Sequence, residues 1–422
     1  MLVEFTINNY RSIKDEQLFS MYAENKHKHH AGHISFTEDD IGILKTSAIF
    51  GANASGKTTL VLAVNALREL VVESGSWKDG DGIKCYEPYL LSAEKKSQPS
   101  EFEIEFYIEN TRYNYKIHFS KQEIIFEKLD FYPNSRPANL FTRQSSSDWK
   151  SVRFGEHYKG GKKQIAFFAN NTYLSKAGNS ADSPEIIQKI FNFFRKDIIT
   201  LLVNQSISIS GWDKDEYNLS VINTFLQEVD LGIKKFDIEY TEDIPKIPFP
   251  ETIPEAIREK IRREFSRKPV FYHESSEGDL VKFDSEDESM GTNKLFKQLP
   301  SLINVLKNGR TLFIDEIESS LHPHIAELIV KIFNDPIVNK NNAQLIFTTH
   351  NLALMNSKIL RKDQVYLVSK TAQDGTILTC LEEYDDSLKD TSPFAKWYDE
   401  GRLGGVPSIN YQNIVTAINE VD

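Results

Sequence analysis

The sequence is poor in cysteine, in positive charge and in long apolar runs. Cys85 and Cys380 are the only cysteines in 422 residues, which excludes a disulfide framework and a zinc site made of cysteines. Acidic residues outnumber basic ones, and the formal net charge of −11 argues against a protein that coats nucleic acid over its whole surface. No run of about 18 apolar residues could span a membrane, and no basic leader precedes an apolar stretch at the N-terminus. We therefore expect a soluble, cytoplasmic protein.

The pattern of apolar residues predicts an α/β protein of two or three domains. The hydrophobic content of 40% and charged content of 26% are typical of a globular protein with a sizeable core. Strands are predicted from alternation and short apolar runs, and a helix from apolar residues three and four apart. The clearest predicted helix is 58–73, residues 134–164 are predicted to be surface loops, and 183–266 are predicted to be mostly helical. The predicted strands are residues 2–12, 47–50, several between 101 and 130, 310–314, 344–348 and 364–368.

Residues 51–58 carry the strongest motif in the chain. Gly51-Ala-Asn-Ala-Ser-Gly56-Lys57-Thr58 fits G-x-x-x-x-G-K-[ST] at every fixed position and lies between a predicted strand and a predicted helix. Backbone N–H groups of such a loop surround phosphate oxygens at the positive end of a helix. Lys57 is predicted to reach the β- and γ-phosphates of ATP, and Thr58 to bind Mg²⁺. The predicted nucleotide contacts in this loop are Gly51, Asn53, Ser55, Gly56, Lys57, Thr58 and Thr59.

Two further groups of polar residues follow apolar strands. Asp315 and Glu316 come directly after Leu312-Phe-Ile314, so Asp315 is predicted to hold the metal and Glu316 to orient or deprotonate the attacking water. Thr348-Thr349-His350 ends another apolar strand, and His350 is predicted to sense the γ-phosphate. Catalysis is thus assigned to Glu316, His350 and Lys57.

In this order, the motifs resemble the ABC-type ATPase head of RecF, structural-maintenance-of-chromosomes (SMC) and OLD-nuclease proteins. The segment Asn9-Tyr-Arg11-Ser12 is similar to the Asn-Phe-Arg-Ser opening of RecF-like proteins, which adds Arg11 and Ser12 to the nucleotide contacts. The resemblance implies an ABC-type head, a mixed sheet with flanking helices plus an antiparallel β-subdomain, with an inserted helical lid. The implied domains are an N-terminal lobe at 1–182, the lid at 183–268 and a C-terminal lobe at 269–422.

The resemblance also implies an ATP-sandwiched homodimer or a higher oligomer built from it. Glu288-Ser289-Met290-Gly291-Thr292 corresponds to the signature loop, in which Ser289 and Gly291 would cap the γ-phosphate bound by the other subunit from a helix N-terminus. The segment Glu318–His322 would cross the dimer interface. Both this signature and Trp397–Pro407 look like those of predicted ATP-binding proteins from bacterial phage-defence loci.

Several assignments stay open at this stage. Gln98 and Gln122 are both candidates for the glutamine loop of ABC heads, and the sequence does not choose between them. His27, His29, His30 and His33 lack a familiar ligand spacing, so a solvated loop is favoured over a metal site. The basic run from Arg258 to Lys268 is interpreted as a solvated helix face, with nucleic-acid binding through the lid as the alternative.

The function predicted from the resemblance is a Mg²⁺-dependent ATPase whose dimer senses infection and regulates a separately encoded effector, a nuclease or toxin, in anti-phage defence. A separate effector is expected because the 72 residues after His350 leave no room for an acidic Toprim nuclease. One alternative is a RecF-like repair ATPase that grips DNA through the lid. The other is a scaffold that binds ATP and barely turns it over.

Overall fold

A computed structural model shows the α/β architecture that the sequence predicts. It describes residues 1–24, 30–134, 136–144, 149–203, 205, 211–229, 232–241, 249, 253, 255–384, 388–389, 392–405 and 410–419. The strands, in chain order, are β1 (Leu2–Asn8), β2 (Gln17–Ser20), β3 (Ile34–Phe36), β4 (Gly42–Leu44), β5 (Thr46–Gly51), β6 (Ser100–Ile108), β7 (Thr111–Phe119), β8 (Ile124–Tyr132), β9 (Ala138–Arg143), β10 (Arg153–Phe154), β11 (Ile198–Leu201), β12 (Ile233–Tyr240), β13 (Arg267–Glu274), β14 (Leu280–Asp284), β15 (Thr311–Ile314), β16 (Gln344–Thr349), β17 (Val365–Thr371) and β18 (Gly375–Cys380). The α-helices are α1 (Lys57–Val72), α2 (Tyr173–Gly178), α3 (Glu185–Asn192), α4 (Glu216–Glu228), α5 (Glu255–Ser266), α6 (Met290–Asn308), α7 (Pro323–Asn334), α8 (Phe394–Asp399) and α9 (Tyr411–Asn419).

The chain divides into two compact units. The first comprises residues 1–203, 305–318 and 327–422, and the second comprises 204–304 and 319–326. None of the described helices combines the length and the apolar composition needed to cross a bilayer.

A six-stranded mixed sheet is the framework of the first unit. Its strand order is β11-β15-β16-β5-β17-β18, and every pair is parallel except β17 with β18. Strands β5, β15 and β16 are buried along their whole length, as expected of parallel strands covered on both faces. Helix α1 packs through the apolar face that the sequence spacing predicts, since Leu60, Val64, Leu67 and Val71 are all buried. Since β15, β16 and β5 run in the same direction, their carboxyl ends meet at one edge of the sheet.

The second large sheet of this unit is antiparallel, in the order β10-β9-β8-β7-β6-β1-β2. The predicted alternation over residues 101–130 is confirmed, since Phe102, Ile104 and Phe106 of β6 are buried while the positions between them are half-exposed. The prediction of surface loops over 134–164 is wrong in part, because β9 and β10 lie there. Strand β9 is held in place by a buried ion pair with β8, which composition alone does not reveal.

The lid prediction needs correction at its boundaries. Residues 183–203 belong to the first unit, where β11 extends the six-stranded sheet, so the second unit begins about twenty residues later than predicted and continues past 268. The described residues of 183–266 are mostly helical, as predicted, but β12 also lies there and pairs with β13 and β14, beyond that range, in an antiparallel sheet. Phe236 and Phe271 of that sheet pack on Phe296 of α6, with ring centroids 5.1 and 5.5 Å apart. The sequence does not readily predict β12, because the alternation of apolar and polar residues in this strand is interrupted by charged residues.

A fully buried ion pair ties β8 to β9. Glu127 and Arg143 lie opposite each other, and neither side chain is exposed. Arg143 donates to the carbonyls of Asn171 and Ala169, at 2.6 and 3.1 Å. Glu127 accepts from the backbone N–H groups of Tyr173 and Leu174. The pair therefore connects the sheet to the start of α2.

Removal of one member of this pair should destabilise the first unit strongly. We expect Arg143→Met to cost about 3–5 kcal/mol, because it leaves a carboxylate buried without its cation. The pair Lys128–Asp130 on the same strand supplies the control, since the lysine side chain is 40% exposed and Asp130 keeps its hydrogen bond from Asn139; Lys128→Met should cost at most about 1 kcal/mol. Thermal unfolding measures both, and equal melting temperatures for the two variants would contradict the assigned role.

Candidate functional site

The loop between β5 and α1 has the geometry of a phosphate-binding loop. Gly51 ends β5, and α1 begins at Lys57 directly after Gly56. Gly56 has a φ of 106°, and a Cβ at this position would lie 2.2 Å from Thr376 Oγ1 and 2.6 Å from Ser12 Oγ. Only glycine therefore fits, both by backbone conformation and by space. The predicted strand, loop and helix are confirmed.

Lys57 is buried inside this loop, 6% exposed. Its Nζ donates to the carbonyls of Gly51 at 2.7 Å and Ala52 at 2.9 Å. Burial lowers the pKa of Lys57, and the nearby carboxylates of Glu316 and Asp315 oppose that shift. The ammonium group of Lys57 is therefore hydrogen-bonded to the loop carbonyls. In the predicted site, phosphate groups would replace those carbonyls as its partners.

Asp315 meets Thr58 at the carboxyl edge of the sheet. Thr58 Oγ1 lies 3.1 Å from each carboxylate oxygen of Asp315, although 257 residues separate the two in sequence. Asp315 is buried, and the neighbouring Thr348 donates to it at 2.7 Å. A hydroxyl and a carboxylate are hard oxygen ligands of the kind that Mg²⁺ prefers. The donor set fits the metal assigned to Thr58 and Asp315 from the sequence.

Glu316 and His350 face each other beside this carboxylate. His350 Nε2 lies 3.9 Å from Glu316 Oε1, and the two side chains are 36% and 40% exposed. Glu316 has a left-handed φ of 51°, which is uncommon for a residue other than glycine and is found most often at functional sites. Its N–H donates to Thr348 Oγ1 at 2.7 Å. Glu316 is therefore held at a fixed angle while its carboxylate stays accessible.

Two site residues escaped the sequence analysis as functional positions. Thr348 holds both Asp315 and the backbone of Glu316, and its position at the end of a parallel strand next to β15 was the signal. Glu318 accepts a hydrogen bond from the backbone N–H of His350 at 2.5 Å. This bond fixes the backbone of His350, and the sequence did not predict the contact.

A cavity of about 760 Å³ brings most of the predicted nucleotide contacts together. This size suits a nucleotide-sized ligand. The predicted residues that line it are Arg11, Ser12, Asn53, Gly56, Lys57, Thr58, Thr59, Glu316 and His350. Ser55 lies beneath the loop, and its buried Oγ has no hydrogen-bond partner among the described residues.

The opposite wall of the cavity is the segment Tyr86–Leu91, which the sequence analysis did not assign. Arg11 pairs with Glu87 at 2.5 Å, and its N–H donates to the Glu87 carbonyl at 2.6 Å. Ser12 Oγ lies 2.7 Å from Thr59 Oγ1, which joins the opening strand to α1. Neither glutamine-loop candidate lines this cavity: Gln98 and Gln122 lie elsewhere.

The predicted signature residues belong to the second unit. Ser289 precedes α6, and its Oγ accepts from the N–H of Thr292 at 3.0 Å, which makes it the N-cap of the helix. A Cβ on Gly291 would lie 2.6 Å from the carbonyl oxygen of Ser320. The predicted helix N-terminus is confirmed, whereas contact with a second subunit's nucleotide stays a prediction.

The histidine cluster and the basic run give weaker support for a functional role. His27 and His29 lie outside the described residues, while His30 and His33 stack on each other with centroids 4.6 Å apart. No group of three metal-ligating side chains occurs in the part of the chain that the structure describes. Arg258 and Arg262 both pair with Glu255 of their own helix, at 3.6 and 3.1 Å, as expected of a solvated face. Nucleic-acid binding through the lid stays untested.

Comparison with solved structures finds ATPase heads of low similarity. The Smc head bound to the C-winged helix domain of ScpA is 12% identical, with a TM-score of 0.38 and coverage of 90% of this chain and 98% of the other. The Smc head with an extended coiled coil bound to the C-terminal domain of ScpA, from Pyrococcus furiosus, is 12% identical, with a TM-score of 0.37 and coverages of 90% and 97%. The recombination mediator protein RecF is 13% identical, with a TM-score of 0.35 and coverages of 90% and 98%.

Comparison of sequences gives a family. No curated protein matches the chain. The family described as "AAA domain, putative AbiEii toxin, Type IV TA system" matches residues 47–356, which include the phosphate loop, the acidic pair Asp315–Glu316 and His350. This match spans well over half of the sequence and confirms the resemblance to ATPases of defence loci at the level of the family. The chain therefore belongs to this AAA-domain family.

Proposed function

We propose that the protein is a Mg²⁺-dependent ATP phosphohydrolase of the ABC type. The observation that carries the proposal is the convergence of Thr58 on the buried Asp315, at 3.1 Å, beside a cavity that Thr58, Lys57 and Glu316 line. A phosphate loop alone would support nucleotide binding, but the accessible Glu316 with His350 beside it supports hydrolysis. Family membership agrees with this assignment.

Each site residue has a separate role in the proposed reaction. Lys57 leaves the carbonyls of Gly51 and Ala52 to bind the β- and γ-phosphates, where its charge offsets the charge that develops on the phosphoryl oxygens. Glu316 orients a water molecule for attack on the γ-phosphorus and accepts its proton, while the bond to the bridging oxygen of ADP breaks. His350 contacts the γ-phosphate beside Glu316. Thr58 and Asp315 would hold Mg²⁺, which would supply positive charge to neutralise the phosphates.

We further infer that hydrolysis occurs in a homodimer. Ser289 is exposed, and the N-terminus of α6 behind it presents backbone N–H groups and partial positive charge. Gly291 keeps this end of the helix close to the backbone of Ser320, which lies in the segment expected at the dimer interface. Such a surface suits the γ-phosphate bound by a second copy.

The biological role that we propose is regulation of a toxic effector in bacterial defence. The family description names a toxin and a toxin–antitoxin system, which supports a defence role. The effector itself would be a separate nuclease or toxin. The repair ATPase and the ATP-locked scaffold remain the alternatives, and the Glu316 variant below discriminates the enzyme from the scaffold through turnover and biological activity.

Lys57→Ala should abolish measurable ATP binding, because Lys57 is the cation held within the phosphate loop. Isothermal titration with Mg-ATP measures this directly. The melting temperature of the free variant serves as the control, since Lys57 also satisfies two loop carbonyls. Undiminished affinity in a folded Lys57→Ala protein would contradict the assignment of the loop.

Glu316→Gln should bind ATP, hydrolyse it roughly 10²–10⁴-fold more slowly and accumulate as a dimer, because the amide keeps the shape but not the basicity. Ser289→Arg in that background should block closure by placing a bulky cation at the capping surface. Light scattering with and without ATP measures both.

The control for this pair is Glu316→Gln with Ser289→Ala, which removes the helix cap, at a cost of about 1 kcal/mol, without adding bulk. It should still respond to ATP more strongly than the arginine variant. If the arginine and alanine variants trap ATP equally well and form equal amounts of dimer, the shared-site proposal is wrong. A Glu316→Gln protein that retains full biological activity would favour the scaffold.

A further inference from the structure

The glycine-rich turn after α8 has no part in the proposed chemistry, yet it reaches the phosphate loop. Gly401, Gly404 and Gly405 all have left-handed φ angles, between 71° and 75°. The turn is firmly built: the N–H of Gly401 donates to the Tyr398 carbonyl at 2.9 Å, and Leu403 is buried. The resemblance to defence ATPases included this segment but gave it no role.

One carbonyl oxygen in the turn joins it to the nucleotide site. The Gly405 oxygen accepts two hydrogen bonds, from Tyr398 Oη at 2.9 Å and from the N–H of Ala52 at 3.1 Å. Ala52 is the second residue of the phosphate loop. The peptide group that contains this N–H also contains the Gly51 carbonyl, which accepts from Lys57 Nζ at 2.7 Å. A continuous chain of hydrogen bonds therefore runs from the Tyr398 hydroxyl to the catalytic lysine.

We propose that Tyr398 and Gly405 are positioning residues for the phosphate loop. They hold the Gly51–Ala52 peptide group in the orientation that presents the Gly51 carbonyl to Lys57 and directs the Ala52 N–H away from the cavity. A loop held in its binding conformation before the nucleotide arrives loses less conformational freedom on binding. The inference rests on the proposed function in so far as the ligand of the loop is ATP.

The two glycines at the end of the turn differ in a way that permits a test. Gly404 and Gly405 have nearly equal φ angles, so alanine strains the backbone similarly at either position. A Cβ on Gly404 would meet nothing within 4 Å, whereas one on Gly405 would lie 3.3 Å from Tyr398 Cε2 and 3.4 Å from the Val368 carbonyl oxygen. Only the second substitution displaces the carbonyl that holds Ala52.

Two tyrosines give a second matched pair. Tyr398 Oη donates to the Gly405 carbonyl, and Tyr384 Oη donates to the Leu403 carbonyl of the same turn at 2.7 Å. Both hydroxyls therefore stabilise the turn through the same type of bond. Only the Gly405 carbonyl touches the phosphate loop.

The experiment compares Tyr398→Phe with Tyr384→Phe, and Gly405→Ala with Gly404→Ala, in the full-length protein. For Tyr398→Phe we expect Kd and KM for Mg-ATP to rise roughly three- to tenfold with little change in kcat, as for one lost hydrogen bond. Gly405→Ala should have a larger effect on Kd. Tyr384→Phe and Gly404→Ala should bind ATP like the wild type. Equal Kd values within either pair would overturn the inference.

Hydrogen–deuterium exchange without nucleotide provides a readout that does not depend on ATP. The peptide that contains Gly51–Lys57 should exchange faster in Tyr398→Phe than in Tyr384→Phe, because the Ala52 N–H loses a firmly held acceptor. Equal exchange in the two variants would overturn the inference even if ATP binds. A wild-type protein that binds no ATP would overturn the proposed function alone, since the exchange difference would remain.

Discussion

A buried carboxylate, Asp315, is the group around which the site is arranged. Its charge lies at the end of a buried strand, where an ion without partners would be costly. Thr58 and Thr348 supply hydroxyl donors from the two elements that the parallel sheet places beside it. If β16 shifted by one residue against β15, Thr348 would point to the other face, and both Asp315 and Glu316 would lose their support. The sheet register therefore determines the geometry of the acidic pair.

The phosphate loop is held from several directions by residues far away in sequence. Thr376, in the β17–β18 hairpin at the edge of the six-stranded sheet, donates to the Ser55 carbonyl at 2.8 Å, and the hydroxyls of Ser12 and Thr59 are hydrogen-bonded to each other. Gly405 holds the first part of the loop, as described above. The loop sequence is sufficient to recognise a phosphate site, but its conformation depends on contributions from both ends of the chain. Variants in these outer supports should act on nucleotide affinity rather than on the chemical step.

The sequence predicted which residues lie together at the candidate site because its signals are local. Each candidate residue follows an apolar strand, and parallel strands bring their carboxyl ends together, so Lys57, Asp315 and His350 could be placed near one another from the sequence alone. The partners of these residues could not be predicted in the same way. Glu87 and Gly405 act through hydrogen bonds between distant segments, and no residue type or spacing marks such contacts, whereas the strand-end position of Thr348 was a signal that could have been used. Strand β12 was missed because the alternation of Phe236 and Ile238 is short and lies among charged residues.

The central position of β5 has a consequence for the synthesis of the protein. Both neighbours of this strand, β16 and β17, lie in the last fifth of the chain. At about 5–20 residues per second, a ribosome would leave the strand that carries the phosphate loop without its sheet partners for tens of seconds. The antiparallel sheet, in contrast, is made almost entirely of sequence-adjacent hairpins and can form early. The apolar residues Ile49 and Phe50, which are buried in the folded sheet, therefore stay without their strand partners during that time.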